Sequence, residues 1–347
     1  MAFTYLPFRF RFTNEKGQKM GAAPMRGVVD EAGVHFDHDL LRFDDVYDIL
    51  QEKNLLIFVL YKGLAVGKTI TEHILKGTNT LVIAIPQEVA FQVRNAINER
   101  YTAIQLENTE LRMKMNGNLK HFRSVACPNC KASLDLSYKA DTKQIYCKHC
   151  EVIFTKYNFI LPDTEKYTIC PETGYYDRIQ DYLDARFYFL GAKGGSEVKF
   201  ELQHCSDAVA ERWLSEVVVK NILFLVALPF NLYTKFKLGT TRQDLLRNMS
   251  RANPFAQDGN MSKASMLYDE MILRSDNYPP IFYNYAKMYL DQAEKFRASK
   301  EDSEKEQAPE MFNKAASMFR KALQECSNYM PATELMEQLG GIEVDRT

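Results

Sequence analysis

Four cysteines carry the clearest chemistry in the chain. Cys127-Pro128-Asn129-Cys130 and Cys147-Lys148-His149-Cys150 are two Cys-x-x-Cys turns separated by sixteen residues. Each such turn presents two thiolates about 3.5–4 Å apart on one side of an ion, and two turns complete a tetrahedral shell for zinc. The spacing lies within the range of a four-cysteine zinc site. A shell of four thiolates has no open position, so the expected Zn2+ is structural and does no chemistry. His149 lies between two ligands and is an alternative to a neighbouring thiol.

The residues around these turns read as short strands. Leu134 and Leu136 share one face, Lys139-Ala140-Asp141 makes a turn, Ile145 follows, and Val152 and Phe154 continue the alternation. With its four ligands in place, the segment Phe122–Tyr157 resembles the zinc-ribbon family. Four unrelated cysteines, or a pair of redox motifs, are the competing reading. Between Leu111 and Lys156 stand nine basic residues and three acidic ones, a local excess of +6. That excess suits contact with RNA, DNA or an acidic protein face. It equally suits the solvated surface of a very small domain.

No other constellation promises catalysis. Leu55–Tyr61 reads as a strand, and Gly63-Leu64-Ala65-Val66-Gly67-Lys68-Thr69 after it imitates a phosphate loop. Only three residues separate its glycines where four are required, and Lys62 stands where the first glycine belongs. The expectation is a plain turn. His35 and Asp37 share a strand face but His38 falls on the other, so no metal site is expected there. The chain has no GxSxG or HExxH, and no serine or cysteine beside a plausible histidine base. Cys170 and Cys205 read as ordinary thiols.

The first hundred residues alternate in strands: Phe8–Phe12, Met25–Val29, Val34–Phe36, Leu41–Phe43, Leu55–Tyr61 and Thr80–Ile85. A helix at Gln87–Arg100 closes the unit, with Val89, Phe91, Val93, Ala96 and Ile97 as its apolar stripe. This order of elements resembles the pleckstrin-homology-like superfold. The resemblance implies docking of proteins or lipids and no enzymatic activity. Farther on, Asp184–Gly191 and Glu197–Gln203 read as a glycine-linked hairpin, and Ser206 or Asp207 caps a helix over Ala208–Lys220. A second, degenerate unit of the same kind is one reading of that segment; a small α+β piece is the other.

Toward the C-terminus an internal repeat appears. Ala264, Tyr268, Ile272, Asn277, Tyr278 and Pro280 recur as Ala315, Phe319, Leu323, Asn328, Tyr329 and Pro331, each offset by 51. The pattern resembles the tetratricopeptide repeat, lengthened by an insertion near Ala298–Pro309. The resemblance implies a concave groove for a peptide or helix. The family's leading Trp and Leu-Gly are missing, so no ligand-binding residue carries over.

Composition bounds the rest. The 347 residues are 46% hydrophobic and 26% charged, which excludes a disordered chain. Forty-four basic against forty-five acidic side chains give a net charge of −1, so no whole-molecule basic field exists to grip nucleic acid. Seven cysteines without a secretory signal favour metal over disulfides and a cytoplasmic protein. The most apolar stretch, Val217–Leu232, is broken by Lys220 and Pro229. Its charge-free core Ile222–Leu228 is shorter than the about 20 residues of a spanning helix. A buried helix is expected, with membrane contact as the alternative.

The expected architecture is α+β and multidomain. It runs as a β domain with capping helix over 1–105, a linker helix over 106–122 and a zinc ribbon over 123–160. An α+β middle segment over 161–240, a linker over 241–261 and helical repeats over 262–347 complete it. The expected function is that of a non-catalytic adaptor docking protein partners, with Cys127, Cys130, Cys147 and Cys150 holding structural Zn2+. The alternatives are nucleic-acid binding through the basic ribbon and an enzyme with an unrecognised site.

Overall fold

A computed structural model describes residues 5–14, 18, 23–52, 54–63, 66–75, 77–157, 159–160, 167–189, 196–221, 229–233, 247–275 and 277–339. The chain is mixed α+β and divides into two compact units. One comprises Met1–Lys139 with Cys147–Ile160; the other comprises Ala140–Tyr146 with Leu161–Thr347. The apolar core Ile222–Leu228 and the glycine-rich turn at 190–195 lie outside the described residues.

The first unit is built on a seven-stranded antiparallel sheet. Its strands are β1 (Leu6–Phe12), β2 (Met25–Val29), β3 (Gly33–Phe36), β4 (Asp39–Arg42), β5 (Val46–Glu52), β6 (Leu55–Leu60) and β7 (Thr80–Ala84), in the order β4-β3-β2-β1-β7-β6-β5. Alternation explains why these segments are strands. Phe8, Phe10 and Phe12 of β1 are buried and meet Phe36 of β3, with Phe10–Phe12 and Phe10–Phe36 centroids at 5.0 and 5.1 Å. Gly27 of β2 makes room for this cluster, since a Cβ there would fall 2.5 Å from the Phe8 ring.

A short helix α1 (Lys68–His73) precedes β7, and the long helix α2 (Gln87–Met115) follows it. Val93, Ile97 and Tyr101 of α2 are buried against the sheet, whereas Phe91, expected in the same stripe, is half exposed at 50%. The Arg94 guanidinium instead covers the Phe91 ring at 4.8 Å. The sequence placed the end of this helix at Arg100 and a separate linker helix after it. One continuous helix of 29 residues replaces the two and ends at Met115, short of the expected 122. Its second half lacks an apolar stripe because Met113 is the one buried apolar side chain beyond Tyr101.

In the second unit, strands Tyr167–Ile169, Tyr176–Phe189 and Ser196–Ser206 form an antiparallel sheet. The last two pair from Ile179↔Ser206 to Phe189↔Ser196. The helix Asp207–Asn221 follows, with the Ser206 hydroxyl accepting from the Val209 N–H at 3.3 Å. The C-terminal region is helical: Arg247–Gln257, Met261–Arg274, Pro279–Ala298, Ala308–Glu325 and Met330–Gln338, with one short turn of helix at Asp302–Lys305.

Equivalent positions of the 51-residue repeat play equivalent roles here. Ala264 and Ala315 are fully buried, as are Tyr268 and Phe319, and Tyr278 and Tyr329 each stand immediately before a helix that opens with proline at its first or second position. The expected linker over 241–261 is different from the expectation. Arg247–Gln257 is a helix, and its Met249, Ser250, Ala252, Asn253 and Ala256 are buried. Asn253, inside that expected linker, is an interior hydrogen-bonding hub. Its Nδ2 donates to Tyr176 O at 3.1 Å, and its Oδ1 accepts from the Tyr268 hydroxyl at 2.9 Å. Among the described residues, no helix is long and apolar enough to cross a membrane.

Candidate metal centre

Strands Ser124–Ala126 and Ser133–Asp135 pair antiparallel, with Val125 opposite Leu134. The loop between them reverses tightly. Cys127 N–H donates to Ala132 O at 2.8 Å and Lys131 N–H donates to Cys127 O at 3.0 Å. The second turn repeats this, with Cys147 N–H to Val152 O at 2.9 Å and Glu151 N–H to Cys147 O at 2.7 Å. Lys131 and Glu151 each take a left-handed backbone, with φ of 62° and 60°. That conformation closes each turn and aims both of its thiols to the same side.

The four sulfurs converge. All lie within 4.8 Å of one another, with Cys127 Sγ 3.7 Å from Cys150 Sγ and Cys130 Sγ 3.5 Å from Cys147 Sγ. A tetrahedral zinc with bonds of about 2.3 Å places its sulfurs about 3.8 Å apart. The donor set and its spacing therefore fit a tetrahedral, thiophilic ion. Cys127, Cys130 and Cys147 are fully buried and Cys150 is partly so, which keeps water from the centre. Among the described residues, no other cluster of three or more metal-ligating side chains exists.

Helix α2 positions the first turn. The Thr102 hydroxyl accepts the Ser133 N–H at 2.7 Å and donates to Asn98 O at 2.5 Å. This extension past Arg100 ties the cysteine turns to the sheet's own capping helix.

The electrostatics favour a cation. Hydrogen bonds from Cys130, then Cys147 and Cys150, drive the Cys127 thiol strongly toward thiolate. That same cluster raises Cys130 and Cys147, chiefly through their interaction with Cys127. Four thiols this close ionise together only around a positive charge. Burial, then neighbouring Lys148, lowers His149 to about 4. At neutral pH it is an uncharged imidazole beside a set that four thiols already complete.

A third turn of the same design escaped the sequence reading. Cys170 N–H donates to Tyr175 O at 2.8 Å, Gly174 N–H donates to Cys170 O at 2.8 Å, and Gly174 has φ of 72°. Its Cys170-Pro171-Glu172-Thr173-Gly174 copies the Cys-Pro opening of the first turn, with Thr173 in place of the second thiol. The Cys-Pro pair followed four residues on by glycine was the available signal.

The other motifs resolve into structure. At α1, the imitation phosphate loop is already furnished with an anion. Asp39 Oδ2 accepts the Thr69 N–H at 2.6 Å and the Ile70 N–H at 3.4 Å. A Cβ on Gly67 would fall 2.1 Å from the Asp39 carboxyl carbon. His35 pairs with Asp30 at 2.6 Å, and His38 is exposed in a turn with Asp37 at φ 58°. Comparison with family models, with curated proteins and with solved structures finds no match to this chain.

Proposed function

We propose that this chain is a non-catalytic docking protein whose cysteine centre carries structural zinc. The observation that carries this reading is the completeness of the donor set: four thiols within 4.8 Å of one another. Cys127, Cys130, Cys147 and Cys150 would hold the ion, and its contribution is cross-linking of two turns that have little apolar core of their own. In this reading the turns belong to a zinc ribbon, the first sheet is pleckstrin-homology-like and the C-terminal helices are tetratricopeptide-like.

The helical region supports docking by what it already does. Asn328 and Asn284 each read both backbone groups of an extended segment, at Tyr146 and Tyr176. An amide aligned in this way recognises extended backbone irrespective of side chain. A partner segment bound to the same helices would use the same chemistry.

A tagged pull-down from the native cell, with and without nuclease, tests the proposal. Stoichiometric protein partners that survive nuclease support it, and chelation of zinc should abolish one partner while those of the helical region remain. Nucleic-acid binding is the second reading, favoured by the exposed Lys131, Lys148 and Lys156 around the turns. Partners lost on nuclease treatment, with polynucleotide affinity falling steeply with salt, would favour it instead.

A further inference from the structure

The second half of α2 buries Met113 but leaves Leu111 and Met115 59% and 80% exposed. These two continue a line that starts under the sheet, where Ile97 and Tyr101 are buried and Ile104 is partly covered by the same core. Steps of four, three, four, three and four residues link Ile97, Tyr101, Ile104, Asn108, Leu111 and Met115. That spacing keeps to one side of a helix and is the seam spacing of a coiled coil. Met113 and Thr102 fall on the opposite side, where the Thr102 hydroxyl holds the Ser133 N–H.

The flanks of this line carry ordered charge. Glu107 and Lys114 stand one heptad apart on one flank, and Gln105 and Arg112 do so on the other. Glu107, Arg112 and Lys114 are exposed. Among the described residues, neither Glu107 nor Lys114 forms an ion pair.

We propose that this line is the contact between two copies of the chain, paired antiparallel through the distal half of α2. A second copy is the occupant because the helix is complementary to itself. With Leu111 packed on Asn108 of the second copy and Met115 on its Ile104, Glu107 comes beside Lys114 of the second copy. The two-fold axis makes that opposite-charge pair twice. A shift of one heptad either way sets Glu107 against Glu107 or Lys114 against Lys114, which repel. A parallel pair is blocked, because it would run the second helix alongside Ile97 and Tyr101. Both are buried beneath the sheet, and the Tyr101 hydroxyl donates to Tyr47 O at 2.7 Å. Asn108 weakens the pair while fixing its register. The seam Ile104–Met115 is under two heptads, so it buries less than the about 1,200 Å² of a stable interface and the dimer is weak. This contact goes beyond the docking reading and needs neither the metal nor another protein.

The test is sedimentation equilibrium of the full chain at concentrations up to about 1 mM. Wild type is expected to pass from monomer to dimer within that range. Glu107→Lys and Lys114→Glu each set like charges at both flank contacts and should weaken the dimer by about tenfold or more. Mixed in equal amounts, the two variants restore opposite charges at both contacts, so the mixture should associate as wild type does. That rescue excludes a folding defect in either variant. Asn108→Leu should tighten the dimer by about tenfold. A wild type that stays monomeric throughout, single variants that dimerise as wild type does, or a mixture no better than its components would overturn the proposal. So would a dimer that persists undiminished in Met115→Lys, since its contact would then lie elsewhere.

Discussion

Asn328 holds Tyr146 by both of its backbone groups: the Tyr146 N–H donates to Asn328 Oδ1 at 3.0 Å and Asn328 Nδ2 donates to Tyr146 O at 2.7 Å. The side-chain amide thereby stands in for a neighbouring strand. Ser327 adds a second hold on the same segment, its hydroxyl donating to Ala140 O at 2.7 Å. The Tyr146 and Tyr329 rings pack edge to face at 5.3 Å. Within the same unit, Asn284 makes the same two bonds to Tyr176, both at 2.7 Å. In sequence, the segment Ala140–Tyr146 immediately precedes Cys147.

Asn328→Ala should therefore destabilise the second unit. It strands a buried N–H and C=O of Tyr146, at a cost of about 1–3 kcal/mol. Asn328→Asp keeps the acceptor but loses the donor and adds charge, so it should not rescue. Chemical denaturation of the two variants reads the difference. Unchanged midpoints for both would show that water replaces the amide without loss.

Removing one thiol should remove the metal. Cys147→Ser is expected to reduce bound zinc well below one equivalent per chain, by elemental analysis, and to lower the melting temperature. His149→Ala should retain the full equivalent, because four thiols already complete the shell. Full zinc in Cys147→Ser with loss in His149→Ala would exchange the two residues' roles.

The strands were legible because burial on one face leaves a period of two. β2 begins and ends where alternation of apolar residues says it should, and β1 extends only two residues beyond it. β5 was not legible, and its register slips between Val46 and Asp48, which breaks that period. The four cysteines were legible because chemistry fixes their spacing. The polar hubs were not: Asn253 falls in the expected linker and Asn328 is one position of the repeat, and only tertiary structure turns their amides onto the backbones of Tyr176 and Tyr146. The continuity of α2 through 101–105 was hidden for a related reason, since Thr102 anchors this part by a hydroxyl and no apolar stripe marks it.

The imitation phosphate loop yields a stability prediction in place of a nucleotide. Asp39→Ala frees the Thr69 and Ile70 N–H groups at the start of α1 and should cost about 1 kcal/mol, as loss of a helix cap does. Asp39→Asn retains an acceptor and should lose less. Adding ATP should leave the melting temperature of the wild type unchanged, because the carboxylate already sits where a phosphate would, and of both variants, because the glycine spacing is not that of a phosphate loop. Protection of Asp39→Ala by ATP would show that the loop takes phosphate once the carboxylate is gone.

Asp177 should make the second unit less stable at neutral pH than at mildly acidic pH. Its carboxyl is fully buried. It accepts from the Ser250 hydroxyl at 2.5 Å and the Arg178 N–H at 2.8 Å, and takes a long contact from the Ala208 N–H at 3.4 Å. Burial raises its pKa to about 6, the nearby Asp207 carboxylate adds to the rise, and the Ser250 bond opposes it. Arg178 gives little relief because its guanidinium is committed to Asp207. The folded state thus holds a proton over a range where the unfolded chain, at its ordinary 3.8, has released it. Stability from this group is fully present below pH 3.8 and is lost as pH rises through about 6. The loss at neutral pH amounts to about 3 kcal/mol. Asp177→Asn keeps an acceptor for Ser250 and for the Arg178 N–H without the charge. The difference in unfolding free energy between wild type and variant, followed by denaturant titration from pH 4 to 7, should therefore shift in favour of the variant as pH rises. A difference that stays flat across that range would mean that Asp177 remains ionised in the folded protein throughout.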